Sequence, residues 1–587
     1  MRNHPLHKRG PRNKAMEQCQ FCGSGLSSKV RFCSNCGKPV AAGNATESAR
    51  PKFNPFITVA SQTTAMPSDA ESDSPVRRPQ VKIKKPNPVS LDAIKRTLFI
   101  VPEKFLSSIQ EILAEFGVRA VGTLHSPNPT LLIDMSQQFI RNAPQGAVLY
   151  VCIIGNWTEI PPSYVPNDFM DHDGDEFCQT DALYGAIQGF DSDDPLTAIA
   201  EITVGRIPVA DRDVVRRVMG NDPDLPVTRN SFQFGVTAQC WEMASNEIIS
   251  SFLNLDKRGR PGLLPEDTET LPKSAILCSP EWTEEDLRQV ADLGTSEPYG
   301  ILFFNVHGGA DEPHWVGESD DGDYVEIFRP GTIAEFNSAI VLSEACYGGA
   351  LFYDSPSIVE HFFTNGGHSF VGSSTIAYGA RATPLSAADL IAKHYINFLY
   401  EGLSQGESLK LAKLEALTED PLCVEYGLKT ALSFNLFGAP WQTLIRPAAP
   451  PLSSSTVSGL ARPSGSVLNR VRGNLQALTP TKSDAINNIR DQYRARLPPK
   501  NRQFMVERDE ILSKLREFRE FSRIIEEIEK CRGSLENSEM DFVTAGDSEA
   551  YRLFCKSGRP DKSKSTLILM INSHGQLTKT LVSKDIR

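Results

Sequence analysis

Two short stretches carry residue types that can attack a carbonyl carbon. In GILFFNVHGG, 300–309, an apolar run ends in His307, Gly308 and Gly309. In AIVLSEACYGG, 339–349, a second apolar run ends in Glu344, Cys346 and two further glycines. A thiol attacks as its thiolate, and a nearby imidazole can accept the proton. The oxyanion that forms needs N–H donors, and the amides of Gly308 and Cys346 are well placed to supply them. Glycine also lets a substrate backbone come close. If the two runs are neighbouring strands of one sheet, His307 and Cys346 meet beyond the carboxyl ends, where sites in α/β sheets form. The expectation is a dyad with His307 as base and Cys346 as nucleophile.

A second constellation lies near the N-terminus. Cys19, Cys22, Cys33 and Cys36 form two CxxC pairs separated by ten residues, in CQFCGSGLSSKVRFCSNCG. Two such knuckles complete a tetrahedral four-sulfur site for structural zinc. So short a segment cannot bury a core, so the metal would supply its folding energy. The segment resembles a zinc ribbon, expected over 16–40.

The elements that must position the dyad follow from hydrophobic patterning. A chain of 587 residues divides into several units. Residues 41–92 are rich in Pro, Ser, Ala and Thr and read as a flexible linker. From Arg96 onward, apolar runs such as TLFIV, AVLYVCIIG, FQFGVTA and SAILC alternate with helical patterns such as FLSSIQEILAEFG and EEDLRQVADLG. This alternation predicts an α/β unit over 93–446, with a mostly parallel sheet flanked by helices. The runs are apolar at consecutive positions, as in strands buried on both faces. A second linker is expected at 447–490. The last region, 491–587, reads as an α+β extension. In it an amphipathic helix or short coiled coil runs from Arg502 to about Lys530, followed by a small β-rich domain.

An apolar run ending in HG, followed by a second ending in AC and glycine, resembles the caspase–legumain–gingipain group of cysteine peptidases. LYVCIIGNWTEIPP, TDALYGAIQG, ITVGRIPV, GGHSFVGSS and NLFGAPW are similar in order and spacing to segments of the gingipain-like branch. The resemblance spans Arg96 to Arg446, and Ala439 stands where the family shows aspartate. It implies a caspase-like fold, His307 as general base and acid, Cys346 as nucleophile, and Gly308 with Cys346 as oxyanion donors. It also implies that Glu344, two residues before the cysteine, helps line the pocket for the substrate's P1 side chain. A desolvated carboxylate pairs best with Arg or Lys, so a basic P1 residue is expected. Asp181 and Gln188 are secondary candidates for that pocket. No third group orienting the histidine is identifiable from the sequence.

Other features bound the function. DHDGDE, 171–176, spaces oxygens about a glycine turn as hard-cation loops do, which makes calcium a candidate cofactor beside zinc; ESDDGD, 318–323, is a weaker case. His314 is a rival base. No P-loop or GxGxxG follows a strand, so nucleotide chemistry has no support. There is no long apolar span and no apolar signal region near the basic N-terminus, so a cytoplasmic enzyme off the membrane is expected. Its substrates would be proteins or peptides, and a protein partner or activator would act through the ribbon or the C-terminal helix. The basic tail allows nucleic acid without supporting it. The competing expectation is a zinc-ribbon scaffold in which the peptidase-like unit is a docking platform.

Overall fold

The computed structural model describes residues 88–445 and 503–583, apart from internal stretches of which 250–273 is the longest, and two short pieces before them. It divides the chain into two compact units, Met1–Ile83 and Lys84–Arg587. In the first unit, β1 (Glu17–Gln18) pairs antiparallel with β2 (Gly25–Leu26). The four ribbon cysteines, nearly all of the 41–92 linker and the 447–490 linker lie outside the described residues.

The second unit opens with a helix at Pro88–Lys95, which begins inside the stretch expected to be linker and buries Ile94. β3 (Thr97–Ile100), β4 (Gly122–Leu124) and β5 (Tyr150–Ile154) come next. An antiparallel pair, β6 (Ser163–Pro166) and β7 (Phe177–Thr180), precedes β8 (Thr203–Ile207). β9 (Phe232–Ala238), β10 (Ser274–Ser279) and β11 (Tyr299–Asn305) follow. An antiparallel excursion of β12 (His307–Gly308), β13 (Trp315–Glu318) and β14 (Tyr324–Phe328) leads to β15 (Ile340–Ser343), β16 (Ser369–Ser373), β17 (Tyr378–Ala380) and β18 (Phe434–Phe437).

Ten of these strands form one sheet in the order β10-β9-β11-β15-β16-β18-β8-β5-β3-β4. Every pairing is parallel except β16 with β18. The expected α/β fold with a mostly parallel sheet is therefore present. The one antiparallel junction divides it into two parallel halves of opposite sense, so their carboxyl ends open on opposite edges. All four residues of β15 and all five of β16 are buried, which explains why the sequence shows continuous apolar runs rather than alternation. Alternate residues still feed different layers. Ile301, Phe303, Ile340 and Leu342 pack with the helices Ala387–Tyr400 and Gln405–Glu419. Leu302, Phe304 and Val341 pack on the opposite face with the helix Ile358–Thr364. No described helix is long and apolar enough to cross a membrane.

The C-terminal region differs from its sequence reading in two ways. The expected continuous helix is broken into Arg508–Glu517 and Phe521–Lys530. Between them the Phe518–Arg519 backbone packs against the turn at Gly575, where an added Cβ would lie 2.7 Å from Arg519 N. The Glu520 N–H also donates to the Gly575 carbonyl at 3.1 Å. This contact stops the helix from continuing as a coiled coil. The strands β19 (Gln503–Met505), β20 (Gly533–Ala545), β21 (Ser548–Ser557), β22 (Ser565–Asn572) and β23 (Leu577–Ser583) form an antiparallel sheet, and its edge is β17 of the central region. Tyr378 pairs with Ser583 and Ala380 with Leu581. Ion pairs reinforce the junction: Lys579 to Asp420 at 2.6 Å and Arg552 to Glu425 at 2.6 Å.

Two buried cations sit beneath the β8 end of the sheet. Arg206 is fully buried and grips Asp181 with both arms, Nε to Oδ2 at 2.7 Å and Nη2 to Oδ1 at 2.6 Å. Its Nη1 donates to the carbonyls of Gly155, Asn156 and Ile160. Lys413 lines a cavity of about 50 Å³ that Asp181 also borders. Burial pushes the Lys413 amine down to about 7, against a smaller upward pull from Asp181. The unfolded amine stays protonated to about pH 10.4, so the cost of charging it inside is fully present below pH 7 and fades as pH rises between those values. Lys413→Met should therefore raise the melting temperature more at pH 6 than at pH 9.5. Equal shifts at both pH values, read by thermal denaturation, would refute this account.

Candidate active site

The site is assembled at the carboxyl ends of β9, β11 and β15 and in the loop that follows β16. β11 and β15 are parallel neighbours with Phe304 opposite Ser343. His307 and Cys346 each lie three residues beyond that pair, at equivalent strand tips. Continued alternation beyond Asn305 and Ser343, where the two strands end, would give them the same side. Val306 and Ala345 both pack in the layer containing Phe304, whereas Cys346 joins the layer containing Phe303 and Leu342. The two tips touch through backbone, since a Cβ on Gly308 would come within 2.1 Å of the Cys346 carbonyl oxygen. Any larger residue at 308 would push them apart.

His307 is buried on β12, opposite Val316 of β13. Glu318 is two residues further along β13, on the same side, and its Oε2 lies 2.7 Å from His307 Nε2. Burial pushes the Glu318 carboxyl up, but the hydrogen bond and charge of His307, a hydrogen bond from the Cys240 thiol and the Arg381 charge outweigh it and hold the group below its usual range. An ionised carboxylate only accepts hydrogen bonds, so Nε2 must carry the proton. In the uncharged form of the ring, Nδ1 is then the nitrogen that keeps its lone pair. It is buried and has no hydrogen-bond partner among the described residues. Trp241 and Tyr324 flank the ring, with centroids at 4.5 and 5.2 Å. They fix its plane and keep water away from it.

Cys346 is also buried, and the residue after it turns sharply. Tyr347 has φ 54°, a left-handed conformation that is strained for a side chain of this size. The Ala377 N–H points at Cys346 Sγ from 3.2 Å, and the sulfur lies 3.6 Å from the Ala377 carbonyl. Asp175 braces both sides of this arrangement. It accepts hydrogen bonds from the Tyr347 hydroxyl at 2.6 Å, the Ile376 N–H at 3.0 Å and the buried Lys429 ammonium at 2.7 Å. Burial pushes the Asp175 carboxyl up, but the Lys429 charge and these three hydrogen bonds outweigh it and keep it below its ordinary value.

The remaining sequence candidates fall in different places. Glu344 is fully buried directly beyond β15, and its N–H donates to the Phe304 carbonyl at 2.8 Å. Asp181 has both carboxylate oxygens engaged by Arg206, which makes it an internal counter-ion. Gln188 and Asp171–Asp173 of the acidic loop lie outside the described residues, and Asp175 of that loop serves the brace. His314 lies half-buried just before β13. Sequence reasoning missed Glu318, Cys240 and Asp175 as members of the site. The usable signal for Glu318 was the strand WVGE returning after HGG, since a carboxylate two residues from the position opposite a histidine faces it across a hairpin.

No family model matches the chain, and no curated protein matches its sequence. Among solved structures, it is similar to the complex of the pro- and mature domains of RgpB from Porphyromonas gingivalis, at 12% identity and TM-score 0.44, covering 84% of this chain and 99% of that one. It is likewise similar to the Arg-specific cysteine proteinase gingipain R, at 11% identity and TM-score 0.44, covering 84% and 98%. A third, titled "Structure of Protease", has 10% identity and TM-score 0.39, covering 83% and 97%.

Proposed function

We propose that this chain is a cysteine endopeptidase in which His307 Nδ1 takes the proton of Cys346, the thiolate attacks the scissile carbonyl, and the Gly308 and Cys346 amides stabilise the oxyanion. The observation that carries this reading is the register of β11 on β15, together with the Glu318 carboxylate that leaves His307 with its basic nitrogen on Nδ1. Glu344 is proposed to receive a basic P1 side chain, since it lies two residues before the nucleophile, directly beyond β15. Cys346 is buried and held by Ala377, the residue that leads into β17. The C-terminal sheet grips that strand, so restraint of the site by this region belongs to the proposal. The CxxC pairs are proposed to hold structural zinc, on their spacing alone.

The test uses the full chain with Arg-, Lys- and Asn-ended fluorogenic peptides. Cleavage that disappears in Cys346→Ala, and that falls at least about tenfold after Arg in Glu344→Gln, is the expected result. Cleavage that persists in Cys346→Ala overturns the nucleophile assignment. Arg cleavage unaffected by Glu344→Gln overturns the P1 assignment alone.

A further inference from the structure

Three side chains from three separate elements converge on the far nitrogen of His307. Cys240 comes from the 3-10 turn after β9, His307 from β12 and Glu318 from the end of β13. The Cys240 sulfur, a His307 ring nitrogen and a Glu318 oxygen all lie within 4.8 Å of one another. The thiol approaches Glu318 Oε2 at 3.5 Å, and Nε2 approaches the same oxygen at 2.7 Å. Tetrahedral zinc, with bonds of about 2.0–2.3 Å, holds its ligand atoms roughly 3.3–3.6 Å apart. The sulfur–oxygen spacing already fits, and the imidazole–carboxylate pair needs to open by only a fraction of an ångström. One thiolate and one carboxylate would neutralise a dication, and the neutral imidazole completes three protein ligands. His307 is buried at 1% exposure, whereas Glu318, with 22% of its side chain accessible, and the half-buried Cys240 give the site its contact with solvent.

We infer that Cys240, His307 and Glu318 form a binding site for a single zinc ion that switches off the dyad. The step balances simply. The Cys240 thiol releases its proton to solvent and its sulfur bonds the ion. The imidazole proton leaves Nε2, which bonds the ion, and is carried on Nδ1 instead. Nδ1 then has no lone pair for the Cys346 proton, and Glu318 is drawn from the imidazole to the metal. One proton is released for each ion bound. The inhibitory consequence rests on the peptidase reading; the metal site itself does not.

The experiment strips full-length protein of metal, adds excess zinc chloride, removes unbound ion by gel filtration and measures retained zinc. Wild type should retain one more equivalent than Cys240→Ser or Glu318→Gln, whatever the N-terminal cysteines hold. Calorimetry in buffers of different ionisation enthalpy, on the full chain with Cys19, Cys22, Cys33 and Cys36 changed to serine, should register one proton released per ion, a reading that does not depend on Cys240→Ser or Glu318→Gln folding. Zinc should also suppress peptide cleavage at least tenfold, reversibly by chelator, with Cys240→Ser shifting the zinc needed by tenfold or more. Equal zinc content in wild type and both variants overturns the metal site while leaving the peptidase intact. An extra zinc in a metal-free chain that cuts no peptide overturns the peptidase reading while leaving the metal site intact.

Discussion

Glu318→Gln leaves the chain folded and its substrate affinity near normal, yet lowers kcat by about 10²–10⁴-fold, the range expected when general base catalysis is lost. The carboxylate accepts from His307 Nε2 at 2.7 Å, and this bond decides which ring nitrogen carries the proton. An amide at 318 presents donors as readily as an acceptor. It allows the tautomer with hydrogen on Nδ1, which cannot take the cysteine proton. It also removes the negative charge that stabilises an imidazolium once the proton has moved. Neither effect touches the groups that bind substrate, so the loss should appear in kcat rather than KM. Steady-state kinetics on one good peptide reads this directly. A variant with unchanged kcat would mean that Glu318 is merely a packing neighbour.

The second large effect is on stability. Arg206→Met should lower unfolding free energy by about 3–5 kcal/mol, the cost typical of breaking a buried pair from one side. Methionine nearly matches the arginine stem in volume, so little cavity is created. What remains is a buried Asp181 carboxylate without its counter-charge and the carbonyls of Gly155, Asn156 and Ile160 without their common donor. Asp181→Leu in the same background should recover part of the loss, because removing both charges avoids the desolvated ion. Urea denaturation of the two variants measures both numbers. A double variant no more stable than Arg206→Met would show that the carbonyl contacts, not the ion pair, dominate.

The sequence made the parallel sheet and the neighbouring strand tips that carry His307 and Cys346 legible because both depend on local pattern. Buried strands read as apolar runs, and a histidine or cysteine followed by glycines at their ends stands out. Glu318 and Cys240 were hidden because their relation to His307 depends on the β12–β13 hairpin and on β9 lying next to β11, which no short window of sequence records. The charge at Asp175 was visible, but its pairing with Lys429 was not. An acidic loop and a brace for Tyr347 have the same composition, and only the fold brings Lys429 beneath it. Arg206 passed unnoticed inside VGRIP because a lone arginine in an apolar run gives no sign of what it will pair with. The single C-terminal helix failed for a similar reason: its three-residue stripe continues through Phe518, and the contact that breaks it comes from Gly575.

The strand that follows the cysteine-holding loop spends its open side on the chain's own last strand. A tethered occupant of that kind acts at an effective concentration on the order of millimolar, so a free peptide of ordinary micromolar strength meets a strong incumbent there. Scission anywhere between 445 and 503 would turn the incumbent into a separate fragment. Dilution alone would then begin to vacate the edge beside Cys346, and the protein's own concentration would become a control variable.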